Sequence, residues 1–336
     1  MLFLQEFIIF TIALALFFDF INGFHDSANA ISTVVATKVL TPIRAVGMAA
    51  VGNLIGPLFF STAIAATIGK GIIKIEMAPD NEILVMMVFS ALVGAIIWDL
   101  ITWYVGFPTS SSHALVGGLV GAGMAAIGGS SINPSGVEKV VVFMIVSPII
   151  GMVAAFILTV FVIRAFYRVS PTKINRYFKS LQLFSAFFYS VTHGTNDAQK
   201  TMGIITVLLV AYGSLTTFKV PIWVILAAHI SISLGTFFGG WRIVRTMAQR
   251  ITKLRPYQGF CAETSGGLVL ASMAALGIPV STTHVISSSI MGVGATDKLS
   301  AVRWGIARKI VGAWIMTIPA SAVMSFFAYL IISAIF

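Results

Sequence analysis

The stretch NGFHDSANAI, residues 22–31, puts Asn22, His25, Asp26 and Asn29 directly after a run that is apolar from Phe7 to Phe18. Together with Asp19, the residues Asn22, Asp26 and Asn29 are spaced three, four and three apart, which sets all four on one face of a helix. Ser190, His193, Asp197 and Lys200 repeat that spacing. A charge in the middle of a membrane helix costs at least about 2.5 kcal/mol, so such groups face protein or water and mark an ion path. Carboxylate and amide oxygens are hard ligands suited to sodium, and an aspartate can equally carry a proton. Asp26 and Asp197 are therefore the candidate coupling groups, metal ligands only if sodium is the ion, with Asn22 and His25 beside them. His25 stands where the second stretch has Asn196, and an imidazole that titrates near neutrality tilts the choice toward a proton. Lys200 lies one turn from Asp197 and reads first as its charge partner and second as an anion contact. Asp19 and His193 complete the stripes as supporting groups.

The second pair of motifs is rich in hydroxyls. PTSSSH (108–113) and PVSTTH (279–284) each precede an apolar, glycine-containing segment. Ser and Thr are favoured N-caps and Pro sets the entry of the chain, so each motif predicts a helix start. A helix start offers free N–H groups and partial positive charge to an oxyanion. Ser110, Ser111, Ser112, Ser281, Thr282 and Thr283 would add hydroxyl donors, with Asn29 and Asn196 as further substrate contacts. His113 and His284 fall in the first helical turn, as donors one layer behind. A serine hydrolase is the rival chemistry. It lacks the G-x-S-x-G elbow, its His follows Ser112 directly, and two copies would make redundant nucleophiles. No zinc spacing and no nucleotide-binding loop occur, so no cofactor is expected beyond a co-transported proton or sodium, and the chain is not expected to be an enzyme.

The elements that hold these groups must be membrane helices. Of 336 residues, 58% are hydrophobic and 10% charged, and the mean hydropathy is +0.98; a water-soluble globular class is excluded. Apolar runs at 1–37, 42–68, 83–105, 110–128, 138–166, 180–211, 220–241, 258–276, 282–296 and 304–335 suggest ten segments, too long for barrel strands and without strict alternation. The formal charge of +10 comes from clustered residues. With the N-terminus outside, cytoplasmic loops hold sixteen of the 21 Lys and Arg, such as Arg164, Arg168, Lys173, Arg176 and Lys179. That is the positive-inside pattern, and it makes nucleic acid an unnecessary partner. Both termini are then external to the plasma membrane, with the lipid bilayer as the surrounding partner. A leader reading of residues 1–30 fails on the missing basic start and on Asp19 and Asp26. The single Cys261 excludes a disulfide framework within the chain.

GFHDSANA and GTNDAQKT begin at Gly23 and Gly194, GFPTSSSH and GIPVSTTH at Gly106 and Gly277, and Gly121, Gly123 and Pro148 recur as Gly292, Gly294 and Pro319, always 171 residues on. A constant offset means duplication. An odd number of crossings per copy turns the second copy over. The expected fold is an all-α polytopic membrane protein of two inverted repeats, 1–170 and 171–336, about five segments each, with interrupted or re-entrant helices meeting near the midplane, as in transporters. The plain alternative is a duplicated scaffold whose polar groups merely join helices.

Taken together, NGFHDSANA, THGTNDAQKTMG, GFPTSSSH and GIPVSTTH, with GGWRIVRTM at 239–247, resemble the inorganic phosphate transporter (PiT) family, in particular its bacterial low-affinity branch. The resemblance implies a symporter of inorganic phosphate driven by a proton or sodium gradient, with Asp26 and Asp197 in the signature positions, the serine loops lining the substrate site, and assembly as a homodimer. Asn53 stands where eukaryotic sodium-coupled members have Glu, and GFHD replaces their plain GxND, which moves the expectation from sodium toward a proton. A sulfate or other oxyanion permease of the same fold, and a passive anion channel, are the alternatives. Two carboxylates favour phosphate, whose remaining hydroxyl can donate to them, over sulfate, which has none.

Overall fold

A computed structural model describes residues 2–59 and 62–335, and these form twelve α-helices with no strand. In chain order they are α1 (Leu2–Ala36), α2 (Pro42–Ile55), α3 (Ala63–Gly71), α4 (Asn81–Val105), α5 (Ser111–Ala126) and α6 (Pro134–Ala165), then α7 (Pro171–Ala211), α8 (Ile222–Phe238), α9 (Trp241–Arg250), α10 (Pro256–Ala275), α11 (Thr282–Ala295) and α12 (Trp304–Ile335). Helix is what the solvent demands, because in hydrocarbon the backbone must satisfy its own hydrogen bonds. Local signals set the ends. Pro opens α2, α6, α7 and α10 at a position where its missing N–H is no loss, and the Asp80 carboxylate caps α4 by accepting from Ile83 N at 2.8 Å.

The expectation of ten crossings is corrected by two of these elements, and two further runs are bent. α5 has 16 residues and α11 has 14, so at 1.5 Å per residue they reach about 24 and 21 Å, short of a ~30 Å core. The run 42–68 breaks at Gly56-Pro57, where Pro lacks the donor a continuing helix needs. The run 220–241 breaks at Gly239, and α9 leaves α8 at 67°. Among the described residues, α1, α4, α6 and α12 are long and apolar enough to cross a membrane, and each bent pair, α2 with α3 and α8 with α9, would add one more. α7 has 41 residues, ample length, but its polar stripe dilutes its apolarity.

Two further interruptions fall at the serine motifs. α1 and α7 run unbroken through Gly23 and Gly194, whereas α4 and α10 stop before Gly106 and Gly277, whose φ values of 78° and 64° reverse the chain. A side chain is strained in that region, and glycine is not. The chain then re-enters as α5 and α11.

The two halves are inverted with respect to each other, and the partners of α1 and α7 show it. Thr37 near the end of α1 donates to Gln182 near the start of α7 at 2.9 Å. Asp26 and Asp197 share Thr282, and Asp19 neighbours Thr201. Ascending α1 is descending α7, so two equivalent helices cross antiparallel. Packing repeats under exchange of the halves: α1 lies on α8 and α7 on α2, while α5 packs on α12 and α11 on α6. The repeats are thus interlocked rather than side by side.

Those last two seams explain the recurring glycines. A Cβ on Gly121 would lie 1.9 Å from the Ala322 carbonyl oxygen, and one on Gly292 would lie 2.2 Å from that of Met152. Backbone cannot yield as a side-chain tip can, so Gly121→Val and Gly292→Val are expected to lower stability by at least the ~1–3 kcal/mol typical of overpacking. Thermal unfolding in detergent checks this, and unchanged midpoints would contradict the close crossing.

Candidate functional site

Each helical stripe delivers one carboxylate to a common point. Asp26 on α1 is 3% exposed and Asp197 on α7 is fully buried. The first turn of α11 lies between them. Thr282 Oγ1 donates toward Asp197 Oδ2 at 3.1 Å and Asp26 Oδ2 at 3.4 Å. Thr283 Oγ1 donates to Asp26 Oδ2 at 3.2 Å and accepts from Asn29 Nδ2 at 2.9 Å. Tyr189 Oη fixes the same turn by donating to the Thr282 carbonyl at 3.0 Å. Motifs from both halves therefore converge as the repeat predicts.

Lys200 carries the other link. Its Nζ donates to Asp197 Oδ1 and to Ser112 Oγ, so the second stripe is tied to the first serine loop. Lys200 is the one Lys or Arg buried among the described residues, and its position matches a charge partner. Imidazoles flank both carboxylates. His25 Nδ1 lies 2.7 Å from Asp26 Oδ1, and His193 Nε2 lies 3.1 Å from Asp197 Oδ2. Beyond His25, its Nε2 meets Thr102 Oγ1 at 3.1 Å and Thr109 Oγ1 at 3.4 Å. Beyond His193, its Nδ1 meets Asn53 Oδ1 at 3.2 Å, and Asn53 Nδ2 donates to Thr236 Oγ1 at 2.8 Å. Ligand atoms of Asp26, His193 and Asp197 all lie within 4.8 Å of one another, close enough for one cation.

The helix starts also meet. Ser110 and Ser281 are N-caps, their hydroxyl oxygens accepting from His113 N at 3.3 Å and His284 N at 3.1 Å. The His113 and His284 rings touch edge to face at 4.8 Å between centroids, and His284 stacks on Trp314 at 3.9 Å. The two histidines thus weld the starts of α5 and α11 together from behind, and neither addresses a serine oxygen through its ring. Ser111 Oγ is left without a hydrogen-bond partner.

Some candidates lie apart. Asn196 turns its Nδ2 to the carbonyls of Thr192 at 2.8 Å and Leu270 at 3.2 Å, away from the shared threonines. Asp19 and Asn22, both buried, close no side-chain hydrogen bond of normal length; Asp19 faces Thr201 and Asn22 and lies within electrostatic reach of Asp197 and Lys200.

Two buried acids escaped the motif reading. Glu263 on α10 accepts from Thr33 Oγ1 and Ser185 Oγ at 2.5 Å each and from Gln182 Nε2 at 3.1 Å, joining α1, α7 and α10. Asp99 on α4 is fully buried beside the His25 wall. Neither recurs 171 residues away, where Leu92 and Leu270 stand. A repeat search is blind to such residues, but the cost of acids inside apolar runs is a signal that would have found them. Glu263→Ala is expected to destabilise the protein by roughly 1–3 kcal/mol for each donor left unpaired, and Glu263→Gln by much less. Thermal unfolding of both variants tests the comparison.

Comparison with known proteins fits this geometry. The phosphate transporter family matches residues 22–172 and again residues 164–325. A probable low-affinity inorganic phosphate transporter of Rhizobium meliloti (strain 1021) is 52% identical over 319 residues, covering 95% of this chain and 94% of its own. One of the same description from Bacillus subtilis (strain 168) is 44% identical over 323 residues, 96% of both chains. A solved structure, described as the sodium-dependent phosphate transporter, superposes with a TM-score of 0.88 over 98% of this chain and 100% of its own at 24% identity, a likeness of fold. These relatives are transporters, which displaces the hydrolase reading of the serine motifs. Matched once in each half, and over 95–96% of its length by these relatives, the chain belongs to the phosphate transporter family.

Proposed function

We propose that the protein is a secondary active symporter of inorganic phosphate, driven by protons rather than sodium. The observation that carries the reading is the Thr282 hydroxyl shared by Asp26 and Asp197 at the start of α11. Coupling and substrate groups from opposite halves meet there. Phosphate is held by the free N–H groups and hydroxyls at the starts of α5 and α11, with Ser111 and Ser112 as donors, joined by Thr282 and Thr283 once cations neutralise the aspartates to which those hydroxyls now donate. Asn29 steadies the threonines.

Electrostatics makes the coupling obligatory. Two aspartates against Lys200 leave the buried pocket negative, and a phosphate anion adds to that charge where the dielectric is low. Entry is favourable once cations neutralise Asp26 and Asp197, so cation and anion bind each other's complex more tightly than the empty protein. A proton suits the flanking groups, because each carboxylate abuts an imidazole. Sodium prefers oxygen on every side, and one corner of the Asp26, His193, Asp197 trio is nitrogen. Alternating access follows from movement of one repeat-related bundle against the other. The repeats divide at 170/171, the carrier is a homodimer in the plasma membrane, and both termini lie outside, as the distribution of basic residues supports.

The test is uptake of labelled phosphate by purified protein in vesicles, with proton and sodium gradients imposed separately. Accumulation above the external concentration under an inward proton gradient, and none under a sodium gradient, is the expected result. Drive by sodium alone would overturn the proton assignment. Equilibration without accumulation would make the protein a passive channel.

A further inference from the structure

We infer that Asp99 is the substrate-selecting acceptor of the pocket, taking a hydrogen bond from the hydroxyl of a protonated tetrahedral oxyanion and thereby admitting phosphate or arsenate while rejecting sulfate. The inference rests on the reading that the serine loops bind phosphate.

Asp99 lies on α4 one turn before Thr102, and residues three apart share a helix face. Thr102 Oγ1 donates to the Asp99 carbonyl at 3.1 Å, accepts from Thr109 Oγ1 at 2.9 Å, and meets His25 Nε2 at 3.1 Å. His25 in turn abuts Asp26. That face of α4 therefore forms the wall of the pocket on the side of the first repeat. Asp99 is fully buried, yet neither of its carboxylate oxygens accepts a hydrogen bond. Its neighbour is Ser111, the first residue of α5, whose hydroxyl approaches the Asp99 carboxylate without closing a hydrogen bond of normal length to it or to any other group.

The contrast with the other buried acids at this depth is what singles it out. Asp26 is engaged by His25 and Thr283, Asp197 by Lys200 and Thr282, and Glu263 by Thr33, Ser185 and Gln182. Asp19 also lacks a direct partner, but it neighbours Thr201 and Asn22 and no serine loop. Asp99 alone of these pairs a spare acceptor with a spare donor at a helix start. That combination complements HPO4²⁻ or H2PO4⁻: Ser111 donates to a P–O⁻ oxygen and Asp99 accepts from the P–OH. Sulfate at neutral pH presents four unprotonated oxygens, so one of them would face the Asp99 carboxylate with no proton between. A site built to hydrogen-bond a substrate hydroxyl discriminates strongly against an analogue that lacks it. Because Leu270 stands at the equivalent place in the other half, the second repeat supplies no counterpart of this acceptor.

Competition against labelled phosphate uptake in vesicles tests this. In the wild type, arsenate is expected to compete, while sulfate and monofluorophosphate are not; the last has phosphate's shape, but its dianion has no hydroxyl. In Asp99→Asn, the preference for phosphate over sulfate is expected to fall by at least about tenfold, and both rejected anions become competitors. Effective competition by monofluorophosphate in the wild type would overturn the inference without any variant. So would an Asp99→Asn protein that still excludes sulfate with an unchanged KM for phosphate. Absence of phosphate uptake by the wild type would instead overturn the underlying reading.

Discussion

Asp197→Asn is expected to reduce phosphate uptake in vesicles at least about a hundredfold and to destabilise the protein as well. Asp197 holds Lys200 in a fully buried pair. Removing one member of such a pair leaves an uncompensated charge, at about 3–5 kcal/mol. Lys200→Met should be similarly damaging, since it strips Asp197 of its counter-charge and Ser112 of its donor. The double variant Asp197→Asn/Lys200→Met separates the two consequences. With both charges gone, thermal stability in detergent should recover most of the loss, because a neutral pair of similar volume carries no desolvation cost. Uptake should not recover, because the cation has lost its carboxylate. Transport by the double variant would show that Asp197 serves only to neutralise Lys200.

Asp26→Asn is expected to separate function from stability in a single step. The amide oxygen of an asparagine can still accept from Thr283 at the place where Asp26 Oδ2 does now, at 3.2 Å, so the turn of α11 keeps its anchor. What is lost is a site for a proton or cation, and uptake should fall by about two orders of magnitude while the unfolding midpoint moves little. His25→Asn, which installs the residue that the second half carries at Asn196, should leave the fold intact and shrink the stimulation by an inward proton gradient. Wild-type uptake by Asp26→Asn would remove this carboxylate from the coupling scheme.

Much of this site was legible because duplication printed it twice. The two stripes, the two serine motifs and the recurring Gly121 and Gly292 share one offset, and each proved to be a contact between halves. Hydropathy placed the apolar runs, but length and glycine decided their fate: α5 and α11 are too short to cross, and Gly239 bends the run 220–241. The partners inside the site were less visible. That Ser110 and Ser281 would be occupied as caps, that His113 and His284 would pack ring to ring, and that Asn196 would serve the α10 backbone all depend on side-chain direction. Spacing alone leaves that open. Asn53, read in the sequence only as a departure from other members, proved to orient His193. Glu263 and Asp99 stayed hidden because they occur once.

The interlocked seams bear on how such a chain could have arisen. The glycine face of α5 is filled by Ser321 and Ala322 of α12, and that of α11 by Met152 of α6. A lone ancestral copy would have left its re-entrant arm bare, with backbone carbonyls lacking the close neighbour that only a mate inserted upside down can provide. Residues 1–170 expressed by themselves should therefore accumulate only if the same polypeptide enters the bilayer in both orientations and forms an antiparallel two-fold pair. A single chain that carries one copy of each orientation has no need of identical halves, so Asp99 and Glu263 can stand opposite Leu270 and Leu92.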